Sequence, residues 1–564
     1  MKWTLPRRVR GSRRALTALG AITLATAGSA IIAAPAAQAH PDTGTTYYVS
    51  TSGRDSNSGT NPSSPWASLS KVDATTFHPG DRILFRSGDS WTGQLWPKGS
   101  GTAGAPITIG SYGSGNRPSF AAAGRVPDAV KLWNQQHWTI TDIDASNYAG
   151  SSTSDLKDYR AIHVGGDDGQ TLSGFTIDQV SVHDVTGVDN WIGGSTSNNR
   201  PGINFQMGWD RAKNTGGIVF NTTVPNIAAP PSTPTILTDI LIENSSVKNT
   251  SWGGIVLKQY SGTSPGATAT GWGLRTSTTD PRYAPFTNVT IKGNYIFQAG
   301  TAYGANGMLI DDVRHGTVQD NLVDRVGTSG IEFDYSDQVL AQHNEVTGTS
   351  VKAGGGDSNG LDTDMGVTNA VVQYNYLHDN GMGYLSCACN TNTRFDTATV
   401  RYNVLANNKT TEILLDSVSG STDNFYNNTI YNTAAARMVD GSGPTTFTNN
   451  IFYTTRAGAS MSTGSAETYH NNLYGGNGPT IPSGESHAIT GDPRFANPTA
   501  GGTGTQASGP DLKAGLNWLI AANSPAVRAG IAMANNGGID YNGTPIPSIP
   551  DIGALQHSQN EDEQ

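Results

Sequence analysis

The 564-residue chain predicts an all-β fold, a parallel β-helix, and three observations carry that expectation. The first is a repeat. Asn, any residue, then an apolar residue recurs at Asn294-Tyr-Ile296, Asn321-Leu-Val323, Asn344-Glu-Val346, Asn375-Tyr-Leu377, Asn403-Val-Leu405, Asn428-Thr-Ile430, Asn450-Ile-Phe452 and Asn472-Leu-Tyr474. The spacings are 27, 23, 31, 28, 25, 22 and 22 residues. The second is what lies between: short β-type runs broken by Gly, Asn, Asp and Ser, with no 3.6-residue apolar stripe. The third is composition: 69 Gly with only 14% charged residues, the signature of many turns between short strands. A minimum repeat of 22 residues suits one coil of three strands and three turns. It is too short for a propeller blade of roughly 40–45 residues.

Each part of the chain follows from these cues. Residues 1–39 read as a signal peptide: Arg7, Arg8, Arg10, Arg13 and Arg14 precede an apolar run from Ala15 to Ala34, and Ala37-Gln38-Ala39 is a cleavage box. Ser12-Arg13-Arg14 loosely resembles a twin-arginine signal. The protein is therefore expected to be secreted, through a general or twin-arginine route, with no membrane association after cleavage. Residues 40–124 are expected to form the N-terminal cap and first strands. Residues 125–490 are expected to form the coils, including early ones around Phe175–Val182 and Ile242–Val247 that keep the strand rhythm without the Asn. Residues 491–564 are expected to be a C-terminal cap and tail. In each coil a buried apolar residue stacks on that of the next, and Asn side chains at a bend can bond up and down the stack.

Several function classes drop out. The formal charge is −10, and the 1–39 segment holds six basic and no acidic residues, so the remainder is more acidic still. That argues against a nucleic-acid binder, which needs a basic surface to displace counterions. Two Cys cannot build a disulfide framework, and Cys387-Ala-Cys389 is not a metal-thiolate motif. Neighbours so close in sequence pair only with strain, so free and bridged states both remain open.

Three groups of residues carry a family resemblance. Tyr47-Tyr-Val-Ser50, Asp55-Ser-Asn-Ser-Gly-Thr60 and Pro79-Gly-Asp-Arg-Ile-Leu-Phe85 resemble the N-terminal cap of secreted right-handed parallel β-helix proteins of the pectate-lyase-like superfamily. Asp492-Pro-Arg-Phe495, Asn523-Ser-Pro-Ala526 and Pro550-Asp-Ile-Gly553 resemble the closing segment of such proteins. Gly360-Leu-Asp-Thr-Asp364 and Gln373-Tyr-Asn-Tyr-Leu-His-Asp-Asn-Gly381 are similar to their central coils. The resemblance implies a right-handed helix acting on carbohydrate. It leaves the activity open, because the superfamily holds lyases, hydrolases and binding proteins.

Aligning the strand that follows a Gly in successive coils isolates the chemistry. Gly254, Gly307, Gly330, Gly360 and Gly383 precede Ile255-Val-Leu-Lys258, Met308-Leu-Ile-Asp311, Ile331-Glu-Phe-Asp334, Leu361-Asp-Thr-Asp364 and Tyr384-Leu-Ser-Cys387. Strand side chains alternate, so positions one and three face the core while two and four face outward. Asp311, Glu332, Asp334, Asp362 and Asp364 should then form one acidic patch on an exposed sheet, on strands about 4.8 Å apart. Like charges that close raise at least one pKa, the state a general acid needs. The expected catalytic set is Asp334 and Asp364 at the core, with Glu332 and Asp311 in support. Asp362, Asp312, Lys258, His315 and Trp252 are expected to contact substrate. Trp191, Trp209 and Trp272 are further aromatic candidates for stacking on sugar, and His163 a further polar one.

The expected function is glycoside hydrolysis of a polysaccharide by paired carboxylates, with no cofactor required and a monomeric enzyme. The alternative is a lyase acting on a uronate glycan by β-elimination. Asp362, Asp364 and Asp334 would then hold Ca²⁺ and Lys258 would take the proton. A second alternative is a non-catalytic carbohydrate-binding protein of the same fold.

Overall fold

The computed structural model describes residues 44–150, 157–187, 214–224, 232–260, 284–300, 305–352, 357–387, 397–416 and 420–557. The segment read as a signal peptide, the three further tryptophans and Cys389 lie outside them. Cys387 is disulfide-bonded. No helix among the described residues is long and apolar enough to cross a membrane.

The chain is a right-handed parallel β-helix. Two sheets of 14 strands and one of 10 run its length, here sheets 1, 2 and 3. Each strand pairs in parallel with the equivalent strand of the next coil, as in Phe175–Ile240–Val289 on sheet 1. The early coils lie where the strand rhythm placed them, at Thr171–Asp178 and Ser181–Val185, then at Ile236–Glu243 and Ser246–Thr250.

The repeated Asn explains how the coils stack. Each backbone N–H donates to the Oδ1 of the Asn one coil on: Asn294 to Asn321 at 2.9 Å, Asn344 to Asn375 at 3.0 Å, Asn403 to Asn428 at 3.0 Å. Each Nδ2 donates to the same oxygen, as from Asn375 to Asn403 at 2.9 Å. The residue before each Asn is left-handed, among them Gly293, His343, Tyr402 and Asn471. That conformation turns the strand through the corner and costs a non-Gly residue roughly 1–2 kcal/mol. The ladder's hydrogen bonds hold it there. Upstream the ladder ends at Ser245, whose N–H donates to Asn294 Oδ1 at 3.0 Å, and downstream Glu485 accepts from Asn472 Nδ2 at 2.9 Å.

A second column of small residues sets the close approach of coils at sheet 3. A Cβ on Gly330 would lie 2.4 Å from the Gly360 carbonyl oxygen, and one on Gly360 would lie 2.6 Å from that of Gly383. Inside, Ile255, Met308, Ile331, Leu361, Tyr384 and Ile413 occupy one continuous register and are all buried.

The closing segment does not stack as further coils. It runs back along the outside of sheet 2, where Ala514, Trp518, Tyr541 and Leu555 bury a stripe of Tyr374, Tyr376, Tyr402, Tyr426 and Tyr431. Glu345, fully buried, clamps it by accepting from the N–H of Gly504 at 3.1 Å and of Asp511 at 2.5 Å, while His378 Nε2 sits 3.0 Å from its Oε1.

Replacing Asn403→Ala should therefore cost about 3 kcal/mol in chemical denaturation, because the mid-ladder N–H of Asn375 is left buried without an acceptor. Asn57→Ala, in the N-terminal turn, should cost less than half of that.

Candidate active site

Sheet 3 brings the expected acids together in the expected register. Asp311 lies opposite Asp334 on adjacent strands, and Glu332 lies opposite Asp362. Asp364 continues the Asp311–Asp334 column one residue past the strand Asn359–Thr363, its N–H donating to Phe333 O at 2.9 Å. The next outward positions in that column are Cys387 and Asp416.

The patch is not an exposed face. Asp311, Asp312, Glu332 and Asp334 are 0% exposed, Asp362 is 2% and Asp364 is 8%. Their neighbours on that face are apolar. Val219, Val256 and Leu309 precede Glu332 and Asp362 in the same outward column, and with Trp252 and Met365 they make a buried apolar cluster beside the acids. Met365 also packs against a second cluster of Ala284 and Tyr335. Alternation placed these acids on the outside correctly, but it carries no information about what folds over that outside.

Burial sets their electrostatics. It drives the Glu332 carboxyl well above the ordinary range, and the charges of Asp364 and then Asp357 push the same way. Asp362 is raised for the same reason, by burial first, then by Asp364, Glu332 and Asp357. Asp311, Asp312, Asp334 and Asp364 are each engaged in a polar, ionic or ring contact.

Two residues absent from the sequence reading complete the site. Asp357 lies just before the strand Asn359–Thr363 and is half-buried; burial raises its pKa, and the charge of Asp416 raises it further. Asp416 is exposed, at the end of the strand Thr411–Asp416. Asp357 falls outside the Gly-anchored strand pattern, so alternation could not find it. Asp416 holds the fourth position after Thr411-Glu412, and extending the alignment one more coil would have reached it. Asp364, Asp357 and Asp416 are the members of the cluster that solvent touches.

The other expected contacts are placed differently. Trp252 is 1% exposed and belongs to the apolar cluster with Val219, Val256 and Leu309, so it packs instead of presenting a ring to a sugar. Lys258 is 1% exposed and three strands from Asp364 in the same column, which removes it as a base at the reachable acids. Asp312 is a left-handed corner residue whose N–H donates to Asp334 O at 3.1 Å. His315 is exposed but belongs to the strand Val313–Gln319 of sheet 1, around that corner from the acids. His163 is buried, 3.0 Å from Asp128 Oδ1, in an ion-paired cluster that includes Arg160. Among the described residues no group of three or more His, Cys, Asp or Glu is arranged to hold a metal ion.

If Trp252 packs, Trp252→Ala should lower unfolding stability by about 4 kcal/mol through the cavity it leaves. A sugar-stacking Trp would instead weaken glycan binding at unchanged stability, and comparing denaturation with binding separates the two.

No family model matches the chain. It is similar to a lacto-N-biosidase of Bifidobacterium longum, 25% identical over 475 residues that cover 70% of this chain. The chain spans only 28% of that relative's length. Among solved structures it is similar to a GH136 lacto-N-biosidase from Eubacterium ramulus, with a TM-score of 0.55, 19% identity, and 79% of this chain and 68% of that one covered. A solved pectate lyase covers 92% of this chain and 97% of its own at a TM-score of 0.36 and 13% identity.

Proposed function

We propose that this chain is a glycan-cleaving glycoside hydrolase whose reacting groups are Asp364 and Asp357. The observation that carries the reading is the combination of access and charge. Of the acids stacked on sheet 3, Asp364 is the least buried at 8% exposure, Asp357 beside it is half-buried, and burial raises the pKa of Asp357. The similarity to lacto-N-biosidases supports the same reaction class and makes a lacto-N-bioside the first substrate to test.

The roles follow from environment. Asp357, whose pKa is raised by burial and by the charge of Asp416, is the general acid that gives a proton to the leaving glycosidic oxygen. Asp364 supplies the carboxylate that attacks the anomeric carbon or activates water. Asp334, directly beside Asp364 in the outward column, and Asp311 beyond it are fully buried; they shape the field without touching the sugar. Met365, next to Asp364 in the chain, packs into the apolar clusters of Trp252 and Tyr335, and such low-dielectric surroundings strengthen charge effects among the acids. The basic, Arg-rich start of the chain supports export, so the substrate would be met outside the cell.

Asp364→Asn and Asp357→Asn should each lower hydrolysis of a lacto-N-bioside by about a thousandfold or more while leaving the denaturation midpoint near that of the parent. New reducing ends should appear without unsaturated, ultraviolet-absorbing products. Unsaturated ends would replace this reading with elimination. Asp416→Asn removes the like charge that raises Asp357, so the alkaline limb of the kcat/KM profile should move to lower pH.

A further inference from the structure

Glu332 and Asp362 stand opposite each other on adjacent strands, both on the outward face of sheet 3 and both buried. The hydrogen bonds that reach them are unevenly shared. Asp362 Oδ2 accepts from Asn359 Nδ2 at 3.1 Å and from Ser329 Oγ at 3.3 Å. Asp362 Oδ1 and both oxygens of Glu332 accept none. Two carboxylates facing each other in that state would leave three buried anionic oxygens without donors, a cost of several kcal/mol. One proton removes most of it, because a protonated carboxyl becomes a donor to its neighbour.

We propose that Glu332 and Asp362 share one proton as a buried carboxyl–carboxylate pair, with Glu332 as the protonated member, so that the floor beneath Asp364 carries one negative charge instead of two. The assignment to Glu332 follows from the donors. Asp362 Oδ2 already accepts from two donors, whereas Ser329 and Asn306 approach Glu332 without making a bond of normal geometry to either of its oxygens. The groups facing the pair are acidic or neutral: Asp364 and Asp357 from the strand Asn359–Thr363 and its approach, and the side chains of Ser329 and Asn306 from its own and the preceding strand. Ser329 and Asn306 favour the charged form of Glu332 weakly, against burial and two like charges.

The pair is a positioning device for the proposed catalytic groups, and in that respect it rests on the reading above. Its existence does not, because the test needs no turnover. Infrared absorption of the folded protein at neutral pH should show a protonated-carboxyl C=O stretch that is lost in Glu332→Gln and shifted in Asp362→Asn, where the partner is gone. Stability supplies the second readout. An acid whose folded pKa lies above its unfolded value of about 4.3 stabilises fully below that value and loses its contribution as pH rises toward the folded pKa. The stability of Glu332→Gln relative to the parent should therefore improve steadily from pH 4 to pH 8. A parent spectrum identical to that of Glu332→Gln in the protonated-carboxyl region, or a stability difference flat across that pH range, overturns the proposal. Loss of the band with activity unaffected by Asp364→Asn would keep the pair and discard the catalytic reading.

Discussion

Everything at the acidic cluster depends on coil-to-coil register. A parallel β-helix has one degree of freedom that can ruin it, a slip of one residue between neighbouring strands, which would send every outward side chain inward. Two columns prevent the slip. The Asn ladder ties the corner of each coil to the next through a shared Oδ1, and the glycine column at sheet 3 lets the coils approach where a Cβ would collide with a carbonyl. With register locked at both places, Asp311, Asp334, Glu332 and Asp362 have no choice but to face their neighbours at about the strand spacing.

That geometry creates an electrostatic conflict, and the conflict is the functional content of the site. Acids this close would relax by hydration if the sheet were open. They are instead buried, with Val219, Trp252, Val256, Leu309 and Met365 packed beside them on the same face, and burial favours the neutral form of the deepest members. The result is a gradient. Glu332 and Asp362 at the floor hold protons more tightly than ordinary carboxyls, and Asp357, partly open, does so to a lesser degree. Asp416 at the rim stands in solvent. In the proposed reading a glycan meets the cluster from the rim side, where Asp357 and Asp364 lie nearest to solvent.

Much of this was legible in the sequence because it is periodic. The Asn spacing gave away the coil, and the Gly before each strand phased the alternation, so the pairing of Glu332 with Asp362 and of Asp311 with Asp334 followed from counting. What failed was aperiodic. Trp252 is expected at the sugar because nothing in its local sequence shows that Val219 and Leu309 of the neighbouring coils pack with it and with Val256 of its own strand. His315 was placed beside the acids because the left-handed turn at Asp312, which carries the chain onto sheet 1, has no strong local signal in an Asp-Asp-Val run. Asp357 was missed because it precedes its strand, and the path of the closing segment along the sheet 2 tyrosines is a tertiary choice that no local pattern encodes.

The central claim is that a glycan is cleaved on the outward side of sheet 3 at Asp364 and Asp357. The most direct measurement is a crystal structure of the Asp364→Asn protein with a bound lacto-N-bioside. The account predicts a glycosidic oxygen within hydrogen-bonding distance of Asp357, with the anomeric carbon facing residue 364. A sugar bound on sheet 1 or sheet 2, or one lying on sheet 3 with its glycosidic bond away from both carboxyls, would contradict it.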